Sequence, residues 1–277
     1  PEPLPPVRGT LRRLLAWIIP ANISLFLVNG AVPGVLLPLQ LQHLDPTGKV
    51  ASLAVVSTIG AVVAMLAQPI AGLLSDRTRS RFGRRAQWFV GGALVMGLAL
   101  IGMALAGAIV EVTIAYVILQ LGINFVQGPL SAILPDRVPQ RSRGTFSALA
   151  GLGSLVGAFG GQIVGAIFAA SIGTGYVLFA GIVVVVIVLF AVLNPDHSSR
   201  EAAREPLSLG VFLHTFWVNP VRYPNFFWAF LGRLLLYVGY FGVFGYQLYL
   251  LQDYIGLKSG AAAAIPLAGI LNLLGII

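Results

Sequence analysis

The feature that most constrains this chain is a succession of long apolar stretches, separated by short polar loops in which the arginines collect. A helix that crosses a bilayer needs about 20 mostly apolar residues. Seven stretches meet that length: 14–40, 50–74, 87–108, 112–134, 144–170, 175–193 and 226–251. An eighth begins near 260 and runs to the end of the sequence. The chain is 57% hydrophobic and only 9% charged, against roughly 25% charged in soluble domains. An ordinary soluble globular fold is therefore excluded, and the expectation is an all-α polytopic membrane protein. Pro20, Pro33 and Pro38 are expected to break the first span.

The basic residues set an orientation. Arg8, Arg12 and Arg13 precede the first span. Arg77, Arg79, Arg81, Arg84 and Arg85 lie between the second and third, and Arg137, Arg141 and Arg143 between the fourth and fifth. Arg200, Arg204 and Arg222 follow the sixth. Of the 17 basic residues only Lys49, Lys258 and the intramembrane Arg233 depart from this alternation. It predicts a cytoplasmic N-terminus in a cell membrane, with lipid as the surrounding partner. It also explains a net charge of +8 without nucleic acid, which is excluded as a partner. There is no cysteine, and His43, His197 and His214 lack metal-ligand spacing, so no metal site or cofactor is expected.

The loop after the second span reads Gly72-Leu73-Leu74-Ser75-Asp76-Arg77-Thr78-Arg79-Ser80-Arg81-Phe82-Gly83-Arg84-Arg85. Gly72, Leu74, Asp76, Arg77, Gly83, Arg84 and Arg85 follow the order Gly-x-Leu-x-Asp-Arg-x-Gly-Arg-Arg, with Arg79-Ser80-Arg81-Phe82 inserted. This resembles the major facilitator superfamily. The longer loop is similar to that of the glycoside–pentoside–hexuronide and sucrose-type carriers. The next arginine-rich loop, Pro135-Asp136-Arg137-Val138-Pro139-Gln140-Arg141-Ser142-Arg143-Gly144, resembles the glycoside-type carriers again. The resemblance implies gating roles for Gly72, Asp76, Arg77, Gly83, Arg84, Arg85, Asp136 and Arg143. A carboxylate where a helix leaves the membrane can accept hydrogen bonds from a helix N-terminus or pair with an arginine. The recurrence of Asp and Arg in two loops suggests an internal three-helix repeat.

The resemblance also implies a division. Residues 1–193 form a six-helix N-terminal bundle, 194–224 a cytoplasmic linker, and 225–277 the first helices of a second bundle whose remainder is expected beyond this chain. Residues 206–218 fit either a short surface helix or a plain loop.

Polar side chains inside spans are expected to face the bundle interior or a cavity. Tyr116, Gln120, Asn124 and Gln127 share one face of the fourth span, and Asn22 and Asn29 one face of the first. Arg233, Tyr237, Tyr240, Phe244 and Gln247 follow each other at helical spacing in the seventh. Aromatics beside a guanidinium and amides suit a sugar-like solute. Arg233 equally fits snorkelling or gate closure. Gly153, Gly157, Gly161 and Gly165, each four apart, make a smooth stripe for helix packing.

The resemblance fails in places. The superfamily's fourth helix often carries Arg-x-x-Gln-Gly, and here Asn124 stands for the arginine. In proton antiporters that arginine is associated with coupling. The fifth span has Gly157-Ala158-Phe159-Gly160-Gly161, without the proline of the drug antiporters. Glycoside symporters use second-helix aspartates for coupling, and 51–74 has none. Coupling to a proton or sodium by residues elsewhere, and facilitative transport, both stay open. The leading expectation is alternating-access transport of a small polar solute, such as a sugar or glycoside. A drug or metabolite exporter of the same superfamily and a non-transporting membrane scaffold are the alternatives. No nucleophile motif or acid pair points to an enzyme.

Overall fold

The computed structural model describes residues 9–80, 83–195, 222–257 and 260–274. The stretch 206–218 and the loop residues Arg81 and Phe82 lie outside the described residues. Every regular element among the described residues is helical.

The first span is one continuous rod in three parts: α1 (Gly9–Ala31), a π-helical turn (Val32–Leu36) and α2 (Leu37–Leu44). The expected breaks at Pro20, Pro33 and Pro38 do not occur. Proline removes a donor and crowds the carbonyl four residues back, and the turn widens to absorb this. The Leu37 N–H reaches the Val32 carbonyl, five residues back. Such wide turns are rare and often functional.

The rest of the first six spans follows the apolar runs closely. The second is α3 (Lys49–Arg77), the third α4 (Ala86–Leu105) and the fourth α5 (Ile109–Ser131). A single-turn helix, α6 (Ile133–Arg137), leads into α7 (Arg143–Ile167) and α8 (Ile172–Leu193). The seventh span is α9 (Pro224–Phe244), followed by α10 (Gln247–Tyr249) and a second π-helical turn, Leu250–Tyr254. The eighth is α11 (Ala261–Leu274). Among the described residues, seven helical segments are long and apolar enough to cross a membrane. Their outer faces carry Val62, Met65, Leu98, Leu105, Ile114 and Val192, all exposed, as lipid contact requires.

Loop side chains finish the helix ends. The Glu111 carboxylate accepts hydrogen bonds from the Gly107 and Ala108 N–H groups at the start of α5, at 2.8 and 3.3 Å. Asp45 closes the turn between α2 and α3, accepting from the Gly48 N–H at 2.8 Å, Thr47 Oγ1 at 3.1 Å and Ser52 Oγ at 3.2 Å. The Gly48 bond, and then the Thr47 hydroxyl, hold its carboxyl below the usual carboxylate range. These bonds are kept above that range and lost as pH falls through the lowered value.

The helix pairings obey a rule. The first span packs on the fifth and the second on the fourth; the third packs on the fourth and the first on the sixth; the third and sixth pack on each other. Exchanging spans one to three for four to six leaves this pattern unchanged. A three-helix repeat is therefore visible in the packing. The exchange matches the loop at 45–48 to the loop at 138–142. It does not match the two arginine-rich loops to each other, so their shared Asp and Arg are not repeat-mates.

The closest backbone approach joins α1 and α7. A Cβ added at Gly153 would lie 3.0 Å from the Ile19 carbonyl oxygen, and one at Gly157 2.6 Å from that of Ile23. At Gly161 it would collide with the Leu27 carbonyl, and at Gly165 it would lie 3.4 Å from Ala31. Gly30 answers from α1, pressed on the Ala158 carbonyl. With lipid as apolar as leucine, such contact is a main source of helix association. Gly157→Leu is expected to destabilise the bundle by about 1–3 kcal/mol or more, the usual cost of overpacking. Gly151→Leu on the same helix meets open space and is expected to be silent. Thermal unfolding in detergent checks both.

A buried polar node ties the other helices together. The Gln40 amide donates to the Met103 carbonyl at 2.7 Å and accepts from the Tyr176 hydroxyl at 2.9 Å, joining α2, α4 and α8.

Candidate functional site

The arginine-rich end is built on the turn between α3 and α4. The Thr78 hydroxyl donates to the Leu74 carbonyl at 2.8 Å, closing α3, and receives the Trp88 indole N–H at 2.8 Å. Gly83 has φ +88°, a backbone conformation that disfavours a side chain. It sets Arg84 and Arg85 at the entrance to α4. Arg85 is buried, with its side chain 4% exposed.

Two carboxylates converge on these arginines. Asp136 of α6 binds both guanidinium groups. Asp76, near the end of α3, forms an ion pair with Arg85 at 3.6 Å. Four of the expected gating residues thus form one cluster that clamps α3, α4 and α6. Around it, Arg143 Nε donates to the Val138 carbonyl at 3.2 Å, and Arg137 to the Asn194 carbonyl at 3.5 Å. Arg77 is half-buried at the end of α3. Gly72 sits where α3 crosses α5: a Cβ at Gly128 would meet its nitrogen at 3.4 Å. A narrow cleft beside Arg85, Phe89, Ile133 and Arg137 leaves about 10 Å³, about the volume that admits one water.

The polar residues of the spans are largely satisfied within their own helices. Asn22, Asn29 and Asn124 each donate to the carbonyl four residues back, at 2.9, 3.1 and 2.8 Å. Asn22 Oδ1 also accepts from Ser154 Oγ of α7 at 3.4 Å. Gln120 donates to the Tyr116 hydroxyl at 3.5 Å, and the Tyr116 ring lies buried over Gly60 of α3. Gln127 is half-buried. No hydrogen bond joins the α5 row to the α1 pair among the described residues.

Arg233 does not join them. It is exposed, donates to the Tyr237 hydroxyl at 3.0 Å, and lies 5.2 Å from the Tyr237 ring, on its own helix. None of the most apolar stretch of α9 is buried among the described residues. The side chain of Tyr240 lies outside the described residues. Gln247, by contrast, is buried in α10, which packs on the π turn of the first span.

At this far end the seventh span docks firmly. The Tyr249 hydroxyl donates to the Pro38 carbonyl at 2.8 Å. Lys49 pairs with Asp253 at 2.8 Å and lies 4.8 Å from the Tyr249 ring. Alongside, α11 packs on α7. Sequence reasoning missed this closure. Its signal was Lys49, one of the two loop basic residues outside the arginine-rich side, with Asp253 just past the seventh span.

Comparison with known proteins places this geometry in a family. The sequence model of the Major Facilitator Superfamily matches residues 18–277. An uncharacterized symporter of Synechocystis sp. is 49% identical over 55 residues, covering 20% of this chain and 10% of that protein. The sucrose transport protein SUC4 of Arabidopsis thaliana is 29% identical over 126 residues, covering 38% of this chain and 25% of that one. These matches take in a quarter or less of either relative. Among solved structures, a bacterial homolog of the human lysosomal transporter Spinster superposes with a TM-score of 0.56 over 95% of this chain and 59% of its own. At 17% identity that likeness speaks for the fold alone. Because the family match runs through nearly the whole sequence, from the first span to the last residue, the chain belongs to the Major Facilitator Superfamily.

Proposed function

We propose that this chain belongs to a secondary carrier of a small polar solute, a sugar or glycoside, that works by alternating access. The observation that carries the reading is where the spans of the two halves meet. The first, second and fifth spans hold the seventh and eighth at the end opposite the arginines, through Tyr249, Asp253 and α11. Below that point α9 packs closely on none of the first six spans among the described residues. A carrier open on its arginine-rich side and closed on the other has this shape. The arginine excess puts that open side in the cytoplasm. On this reading residues 1–193 act as one unit, and the linker 194–224 joins it to the second.

The solute class rests on chemistry and on likeness. The spans offer amides, tyrosines and a guanidinium, which suit hydroxyls and sugar rings. The matched relatives include a sucrose transport protein and a symporter. The test is counterflow of labelled sucrose into liposomes holding the full-length protein, with and without proton or sodium gradients. Saturable exchange supports the reading, and a gradient effect identifies the coupling ion. Absence of sugar exchange, with pH-driven movement of lipophilic cations, would favour an exporter. No solute movement at all would favour a scaffold.

A further inference from the structure

Lys49 and Asp253 each stand at the wrong end of a helix. Lys49 opens α3, where the helix dipole favours an anion. Asp253 lies in the last turn of the seventh span, where it favours a cation. Neither charge serves its own helix, and each answers the other. The Lys49 ammonium lies 2.8 Å from Oδ2 and 3.0 Å from Oδ1 of Asp253, and 4.8 Å from the centre of the Tyr249 ring. Its side chain is only 14% exposed.

Two further acceptors at this junction have no donor. Gln42 of α2 and Gln252 of the π turn Leu250–Tyr254 each bury an Oε1 that has no hydrogen-bond partner among the described residues. Native structures rarely keep such an atom without a bound group or a function. The Tyr249 hydroxyl bonds the Pro38 carbonyl, and the first and seventh spans run the same way through the bilayer. Gln42 follows Pro38 by four residues and Gln252 follows Tyr249 by three. Each amide therefore comes about one turn beyond that bond, on the side of Lys49 and Asp253. The groups gathered here are of one kind: a carboxylate, two amide oxygens and an aromatic face all attract cations.

We infer that Tyr249, Gln252 and Asp253, with Gln42 across the junction, form a site for a small monovalent cation, and that Lys49 fills it as a tethered substitute while the junction is closed. Oxygen ligands suit sodium, and the aromatic face suits an ammonium ion. Lysine carries a compact charge on a flexible stem, so it leaves without disturbing the groups around it. On the carrier reading, opening the junction withdraws Lys49 and presents the seventh-span groups to a free cation, which then competes with reclosure. The site itself does not depend on that reading.

The test uses the purified full-length protein and its Lys49→Ala variant, which vacates the site without any transport step. Melting midpoints in detergent are measured in sodium, methylammonium and tetraethylammonium chloride at equal ionic strength. Tetraethylammonium is too bulky for the space one ammonium leaves. Sodium or methylammonium is expected to raise the midpoint of Lys49→Ala by about 2–4 °C over tetraethylammonium, saturating with concentration. The unchanged protein, with Lys49 in place, is expected to respond alike to the three salts. A rise with sodium alone assigns an oxygen-ligated metal ion, and a rise with methylammonium alone assigns an ammonium ion. Adding Asp253→Asn is expected to abolish the difference. Where Lys49→Ala folds poorly, the fraction recovered monodisperse in each salt gives the same comparison. Equal behaviour of Lys49→Ala in all three salts, or a difference that survives Asp253→Asn, overturns the site. Because no solute movement is read, failure of the carrier reading shows in counterflow and leaves this result standing.

Discussion

Asp136→Asn is expected to reduce solute exchange to the level of empty liposomes. Asp136 is the carboxylate shared by Arg84 and Arg85, and Arg85 has almost no access to water. Removing one partner of a buried pair costs about 3–5 kcal/mol, because the remaining charge is left uncompensated. Asp136 is itself 31% exposed, so the lower end of that range applies. Asp76 stays within 3.6 Å of Arg85 and holds the arginine part-neutralised. The expected result is thus a protein that still inserts and folds, with a melting midpoint a few degrees lower, while α3, α4 and α6 are no longer clamped. Asp76→Asn is expected to do less, since its contact is longer and its side chain more exposed. The double variant Asp136→Asn with Arg85→Gln removes both charges together and is expected to regain most of the stability. Exchange assays and thermal unfolding on the four proteins decide it. Equal effects of Asp76→Asn and Asp136→Asn would show that the cluster is not organised around Asp136.

The second large effect is expected at the opposite end. Lys49→Cys with Asp253→Cys, bridged by a short bifunctional thiol reagent, is expected to stop exchange, and reduction of the bridge to restore it. Lys49 and Asp253 are 204 residues apart in sequence yet within 2.8 Å in space, and they join the first bundle to the seventh span. Alternating access requires that junction to part once per cycle. Lys49→Glu should act in the other direction, setting two like charges against each other and favouring the opened junction. The readout is the rate at which an impermeant thiol reagent reaches a cysteine placed at Tyr249. A bridged protein that still transports at the normal rate would mean the junction does not move.

Much of the fold was legible because the bilayer imposes one length on every span. The runs 87–108 and 175–193 correspond to α4 and α8 within a few residues. The π turn was not legible. Pro33 and Pro38 read as breaks, and only tertiary packing of the first span against α7 and α10 shows that the rod continues. The arginine cluster was half legible: the resemblance of the two loops to a known family named Asp76, Arg84, Arg85 and Asp136. Their convergence depends on a one-turn helix, α6, lying over the entrance to α4. The repeat was inferred from the wrong pair of loops, because a shared Asp and Arg is weak evidence beside helix pairing. Arg233 was chosen for its charge inside an apolar run, yet its position depends on whether α9 has neighbours. Gln42 and Gln252 stood unnoticed, since no sequence pattern reveals which buried amide oxygen lacks a partner.

The exchange rule in the helix pairings carries a consequence for direction. A bundle whose contacts survive swapping its two triplets of spans, one triplet running opposite to the other through the membrane, has no preferred side in its packing. On the carrier reading, that packing by itself favours neither face of the membrane. On that reading, direction comes from what breaks the equivalence: solute gradients, and the unequal charge at the two ends, five arginines in one loop against the Lys49–Asp253 pair at the other. The helices of the half-bundle treat the two faces alike, and its loops do not.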